Sequence, residues 1–214
     1  MRVYIVRHGE TDANRKGVFQ GRVDSHLLES GFELARQTGR ALGDVRFDAA
    51  FSSPLSRAMD IARTLLAASG NAEVPLVEDD RLLEISMGSF EGKRFRPGER
   101  EVDARAVQLF FGDPFSFEGF PGGECVADVL ARTREFLNRL LTCDYGNVLV
   151  STHGFALRAL LNRFYGDPSD FWQGHVPYNC SISILEGDAS GCRLVASDKI
   201  YYDPAQCVDR YANY

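Results

Sequence analysis

Long apolar runs are missing from this sequence, and so is any excess of positive charge. No stretch stays apolar for the roughly 20 residues that a membrane-spanning helix needs, so no bilayer span is expected. The 214 residues carry 24 Lys and Arg against 30 Asp and Glu, a formal net charge of -6. No global basic field draws such a chain to nucleic acid or to an anionic membrane. An anion would have to be bound by positive groups gathered locally. Cysteine is sparse and scattered, at Cys125, Cys143, Cys180, Cys192 and Cys207, with no Cys-x-x-Cys pair. That pattern argues against a disulfide framework or a Cys-rich zinc site and fits a reducing cytosol. Met1 to Ile5 run straight into a strand-like segment, without the basic, apolar and small-residue zones of a signal peptide. A cytoplasmic location is expected. Repeats, low-complexity tracts and an interdomain linker are also absent. At 44% hydrophobic and 25% charged residues, the composition excludes disorder, collagen and coiled coil. One domain over residues 1–214 is expected.

What the chain does have is alternating strand and helix signals. Val3 to Val6 and Val148 to Val150 are short β-branched runs, the pattern of strands buried on both faces. Residues 48–52 and 74–77 are weaker strand candidates, and 182–185 and 194–196 read as late strands around a turn at 187–191. Ser30 with Glu33 reads as a capping box that opens a helix, which Gly43 ends. Ser53-Pro54 reads as the N-cap and first position of the next helix, closed by Gly70. Periodic apolar residues predict further helices from Val126 to Leu141 and from Ala156 to Phe164. The expected fold is α/β: a three-layer α/β/α sandwich with a mostly parallel central sheet and helices on both faces. Residues 93–123, rich in Gly, Pro and Phe, are expected to form a lid-like insertion with a short helix near 101–111. The segment 203–214 reads as a tail.

The two clearest strands run into related sequences, Arg7-His8-Gly9-Glu10-Thr11 and Ser151-Thr152-His153-Gly154. Ligands of open α/β sheets bind beyond the carboxyl ends of the strands. If these strands are neighbours, His8 and His153 face one crevice, and the glycine after each lets backbone approach a ligand. Arg57, in the first turn of a helix, is expected at the same edge. Guanidinium forks suit phosphate or carboxylate oxygens, and their charge opposes a bound metal cation. A neutral imidazole beside arginines suits nucleophilic attack on phosphorus. The leaving oxygen then needs a proton, and Glu84, ahead of the Gly88 to Gly92 loop, is the carboxylate placed to give it.

Arg7-His8-Gly9-Glu10-Thr11 with Asn14 resembles the R-H-G-E-T-x-x-N signature of the histidine phosphatase superfamily, the group related to cofactor-dependent phosphoglycerate mutase. Further matches follow in order: Gln20-Gly21-Arg22 with Asp24 and Leu27, Ser52-Ser53-Pro54-Leu55-Ser56-Arg57-Ala58, Leu82-x-Glu84-x-x-x-Gly88-x-x-Glu91-Gly92, Pro121-Gly122-Gly123-Glu124, and Thr152-His153-Gly154. They run from the N-terminus to about residue 185. Five ordered motifs are far more specific than one R-H-G. His26, Leu28, Phe90 and Cys125 depart from the residues common in relatives at those places, which touches the pocket rim and no catalytic position.

The resemblance implies that His8 is phosphorylated, that Arg7, Arg57 and His153 hold the phosphoryl group, and that Glu84 is the proton donor and later the base for water. It places Asn14, Gln20, Gly21 and Gly154 at the phosphate, and it implies no metal and no cofactor. The expected activity is hydrolysis of a small-molecule phosphate ester. Phosphoglycerate mutases of the family carry an E-R-H-Y-G segment soon after the acid motif; here Gly92 is followed by Lys93-Arg94-Phe95-Arg96-Pro97. A mutase, or a phosphatase for one metabolite such as α-ribazole phosphate, is the alternative. From other classes stand a binding module that kept only the phosphate pocket, and a metal enzyme using His8, Asp12, His153 and His175. Taken singly, His8 or His153 would be a satisfied core histidine; the motifs around them weigh for catalysis. His175, Trp172 and the cysteines read as structural. Phe110, Phe111, Phe115, Phe117 and Phe120 are divided between core and an apolar lid over the leaving group. A homodimer stays open, since no face is marked for pairing.

Overall fold

Twofold alternation of side chains along two short strands organises the molecule. In the computed structural model, which describes residues 1–207, β1 (Arg2–Arg7) and β4 (Asn147–Thr152) pair in parallel with Val3 beside Val148 and Arg7 beside Thr152. Val3, Ile5, Val148 and Val150 point to one face. There they pack on Phe136 and Leu137 of α5 (Val126–Leu140) and on Leu157 and Leu160 of α6 (Gly154–Leu161). Tyr4, Val6 and Leu149 point to the other face. They meet Leu34 and Ala35 of α2 (Glu29–Ala41) and Ile61 and Leu65 of α3 (Ser56–Ala68). A strand covered on both faces must be apolar at every position, which explains the unbroken runs in the sequence.

The sheet has six strands in the order β3-β2-β4-β1-β5-β6. β2 (Ala49–Ser52) is parallel to β4 and to β3 (Leu76–Glu78). β5 (Ile182–Asp188) runs antiparallel to β1, and β6 (Gly191–Lys199) returns against it in a hairpin. The expected α/β fold with a mostly parallel sheet is therefore present. A one-turn helix, α1 (Asp12–Lys16), follows β1, and α4 (Ala104–Gly112) lies in the long connection between β3 and α5.

Three local expectations are corrected. Ser30 does not cap α2, whose N-cap is Leu28 with no side-chain bond; the Ser30 hydroxyl instead donates to Glu10 Oε2 at 2.7 Å. α3 begins at Ser56 rather than at Pro54, and Ser53 is a buried partner of His153. Glu84, expected from Leu82-Leu83 before it to stand at a strand end, instead sits in an irregular link after a 3-10 turn that ends at Leu82. Of the expected tail, Pro204–Gln206 form a 3-10 turn, and residues 208–214 lie outside the described residues.

The segment 93–123 brings α4 onto α6 and the 171–176 loop through an aromatic cluster. Phe110 stacks on Phe155 with centroids 5.4 Å apart and meets Trp172 edge-on at 6.0 Å. Phe117 and Phe120 are buried in the same cluster, while Phe115 is 46% exposed.

α6 is tied to the hairpin by a buried ion pair. Arg158 is fully buried, with Nη1 2.8 Å from Asp198 Oδ2 and 2.9 Å from the Tyr165 hydroxyl, while Nη2 donates to the His175 carbonyl at 2.8 Å. Removing one partner of such a pair strands the other charge. Asp198→Ala is therefore expected to destabilise the fold by about 3–5 kcal/mol, read as a lower urea midpoint; a shift within 1 kcal/mol would show that the pair contributes nothing net.

Candidate active site

β1 and β4 are neighbours, so their carboxyl ends bring His8 and His153 together, with ring centroids 5.2 Å apart. Both rings are buried. The His8 amide donates to the Thr152 carbonyl at 3.0 Å, which extends the β1–β4 pairing to the histidine itself. His8 Nδ1 lies 2.7 Å from the Gly9 carbonyl. A carbonyl only accepts, so Nδ1 carries the proton and Nε2 keeps its lone pair. Burial, then Arg57 and Arg7, hold the His8 pKa well below its ordinary value, and burial and Arg57 do the same for His153. Both rings are neutral at pH 7 for that reason.

Arg57 is fully buried behind the histidines. Its Nε donates to His153 Nδ1 at 3.2 Å, and its two Nη atoms donate to the carbonyls of Gln20, Gly21 and Val23. Burial lowers its pKa to about 10, still cationic at pH 7. Because His153 Nδ1 accepts, Nε2 carries the proton, 2.8 Å from Ser53 Oγ. Arg7 directs Nη1 at the Pro177 carbonyl.

Glu84 is buried and held at the N-terminus of α6. Oε1 accepts from the amides of Ile85 (2.9 Å) and Ala156 (3.0 Å), and Oε2 from Phe155 (3.1 Å). Those bonds favour the charged form, but burial outweighs them and its pKa is raised. Arg132 of α5 fixes the loop that carries it, donating to the carbonyls of Arg81, Leu83 and Glu84. Thr152 adds a bond to the Leu82 carbonyl at 2.7 Å. Glu91, the other carboxylate of the same motif, accepts from the amides of Gly21, Arg22, Val23 and Met87 and so braces two loops.

Of these groups, Arg7, His8 and Glu84 border one cleft. Its polar lining is Arg7, His8, Asn14, Gln20, Glu84 and Gly154. Thr11 caps α1 and exchanges bonds with Asn14 (Thr11 N to Oδ1, 3.2 Å), and Gln20 Oε1 accepts from the Thr11 and Ser25 hydroxyls. Gly21, Arg57 and His153 lie behind the wall rather than on it. A Cβ on Gly21 would sit 2.3 Å from the Ile85 carbonyl, and one on Gly9 2.8 Å from Gly31 Cα. Both glycines thus serve close chain packing rather than the ligand approach expected for Gly9. Trp172 and Phe155 line the cleft as well as the core. Among the described residues, no three His, Cys, Asp or Glu side chains gather into a set able to hold a metal ion, and no helix is long and apolar enough to cross a membrane.

Sequence reading missed a brace on the nucleophile. Asn179 Nδ2 donates to the His8 carbonyl at 2.9 Å, and the Cys180 amide donates to the Arg7 carbonyl at 3.0 Å. The Tyr202 hydroxyl fixes this segment by donating to the Asn179 carbonyl at 2.6 Å. The signal lay in topology: β5 runs antiparallel to β1, so the residues entering β5 must arrive beside His8.

Residues 3–199 match the model of the histidine phosphatase superfamily (branch 1). The adenosylcobalamin/alpha-ribazole phosphatase of Escherichia coli is 31% identical over 191 residues, 86% of this chain and 89% of that protein. A 2,3-bisphosphoglycerate-dependent phosphoglycerate mutase of Gloeobacter violaceus is 35% identical over 161 residues, 73% of this chain and 72% of that one. The solved structure of Bacillus stearothermophilus YhfR superposes with a TM-score of 0.84 at 31% identity, over 93% of this chain and 97% of that one. Two buried neutral histidines at adjacent strand ends, arginines beside them and a matching sequence along almost the whole chain make this protein a member of the histidine phosphatase superfamily.

Proposed function

We propose that the protein hydrolyses phosphomonoesters through a covalent phosphohistidine on His8, without a metal ion. The observation that carries this reading is the state of His8. Its ring is neutral, its Nδ1 proton is tied to Gly9, its Nε2 keeps a lone pair, and the residue lines a cleft that Arg7 and Glu84 also line. His8 Nε2 attacks phosphorus and the bond to the ester oxygen breaks. Glu84, whose pKa burial raises, gives its proton to the departing oxygen. Water then attacks phosphorus and yields its proton to the Glu84 carboxylate. The P–N bond breaks, and its electrons return to Nε2.

Arg7, Asn14, Gln20 and the Gly154 end of α6 hold the phosphoryl oxygens, and Arg57 adds positive potential from behind. The Nε2 proton of His153, which now faces Ser53, is the donor that ring has for an oxyanion. The names of relatives include both phosphatases and mutases. Hydrolysis is favoured because, among the described residues, Arg7 is the one arginine or lysine lining the cleft, and a carboxylate beside the ester would compete with the phosphoryl group for it.

Phosphate release from p-nitrophenyl phosphate, in EDTA and across pH 4–9, tests the reading. Turnover that survives the chelator is expected. Activity that vanishes in EDTA and returns with an added divalent ion would overturn it.

A further inference from the structure

The cleft lining is of two chemical kinds. Besides its polar groups, the wall is made by Val18, Phe19, Phe110, Phe111, Trp172 and Val176. These come from four places in the chain: the α1–α2 connection, α4, the 171–173 turn and the segment before β5. The rings hold one another in place. Phe19 stacks on Phe111 with planes 12° apart, and Phe111 lies 6.1 Å from Trp172. The wall is therefore formed before any ligand arrives, and a ligand spends little on ordering it. Among the described residues, Arg7 is the one arginine or lysine in the lining.

A carboxylate or second phosphate on the alcohol would be set against rings in a cleft whose lining, among the described residues, offers no cation besides Arg7, a costly placement. Apolar carbon there gains from leaving water. Resting on the reading of this site as a phosphomonoesterase, we propose that its substrates are phosphate esters of uncharged, apolar alcohols, aliphatic or aromatic, whose carbon skeleton lies against Phe19, Phe110, Phe111 and Trp172.

Aryl esters alone would confuse apolar contact with leaving-group strength. Primary n-alkyl phosphates from ethyl to hexyl avoid this, because their leaving alcohols have nearly constant acidity. kcat/KM is expected to rise roughly fourfold per methylene until the chain outgrows the cleft. 3-Phosphoglycerate and phosphoserine are expected at least 100-fold below hexyl phosphate. Phe111→Ala is expected to lower the value for hexyl phosphate about tenfold more than the value for ethyl phosphate.

A flat alkyl series, or a preference for 3-phosphoglycerate, would overturn the substrate class and leave hydrolysis standing. Absence of turnover on every ester would instead overturn the proposed hydrolysis. The substrate class would then be judged by alkylphosphonate binding, followed by the fluorescence of Trp172, the single tryptophan of the chain. Kd falling with chain length is the expected result there, and Kd independent of length would sink the idea.

Discussion

Replacing His8 by alanine is expected to lower turnover of every phosphate ester by roughly 10⁴-fold or more, because among the described residues His8 is the one histidine lining the cleft and able to form the phosphohistidine. The fold should survive. His8 contributes one ring at the end of a strand that is held along its length by β4 and β5. Wild-type protein mixed with a labelled phosphate donor and denatured in alkali should retain label on a histidine, and His8→Ala should retain none. Label on another residue would remove His8 from its role.

The same substitution has a stability signature that an inert core histidine would lack. His8 and His153 both have pKa values well below those of an unfolded chain, through burial and the arginines. Below about pH 6.5 the unfolded chain therefore binds protons that the folded chain refuses. Stability is fully present above that pH and is lost as pH falls through it. Each histidine contributes up to about 1.4 kcal/mol per pH unit. His8→Ala should halve the contribution of the pair to that slope between pH 6.5 and 5. An unchanged slope would mean that His8 is accessible to protons in the folded state.

How the site forms was partly legible in the sequence. Arg7-His8 and Thr152-His153 each follow an unbroken apolar run, and such runs are strands that end at one edge of a sheet. That places both rings without any side-chain geometry. Arg57 was legible to the level of its helix turn, but not to its partners. An arginine beside an anion site and an arginine bonded to three loop carbonyls look alike in one dimension. Ser30 and Ser53 misled because local capping rules compete with long-range bonds. Glu10 and His153 took those hydroxyls. The apolar wall was the least legible. Phe19, Phe110 and Trp172 are remote in sequence, and only the packed cluster shows that their rings meet.

Glu84→Gln is expected to cost roughly 10²–10⁴-fold in kcat for alkyl phosphates. A glutamine keeps the shape and can keep its carbonyl on the amides of Ile85 and Ala156, but it has no proton to give an alkoxide. The loss should shrink to less than about tenfold for p-nitrophenyl phosphate, whose phenolate leaves without protonation. That dependence on the leaving group separates proton donation from simple positioning, which would slow all esters alike. The pH profile supplies the sign. Activity requires neutral His8 and protonated Glu84. The depressed His8 pKa pushes the acid limb to low pH, and the raised Glu84 pKa pushes the alkaline limb above the ordinary carboxyl range. In Glu84→Gln the alkaline limb should disappear, while the second ionisation of the ester phosphate, near pH 6, stays common to both proteins. Glu91→Gln is the control. Its carboxylate is committed to the amides of Gly21, Arg22, Val23 and Met87, so its loss should lower stability and leave the dependence on leaving group as in wild type. If Glu91→Gln instead reproduces the leaving-group dependence and Glu84→Gln does not, the proton comes from Glu91, and the buried carboxyl at the head of α6 is structural.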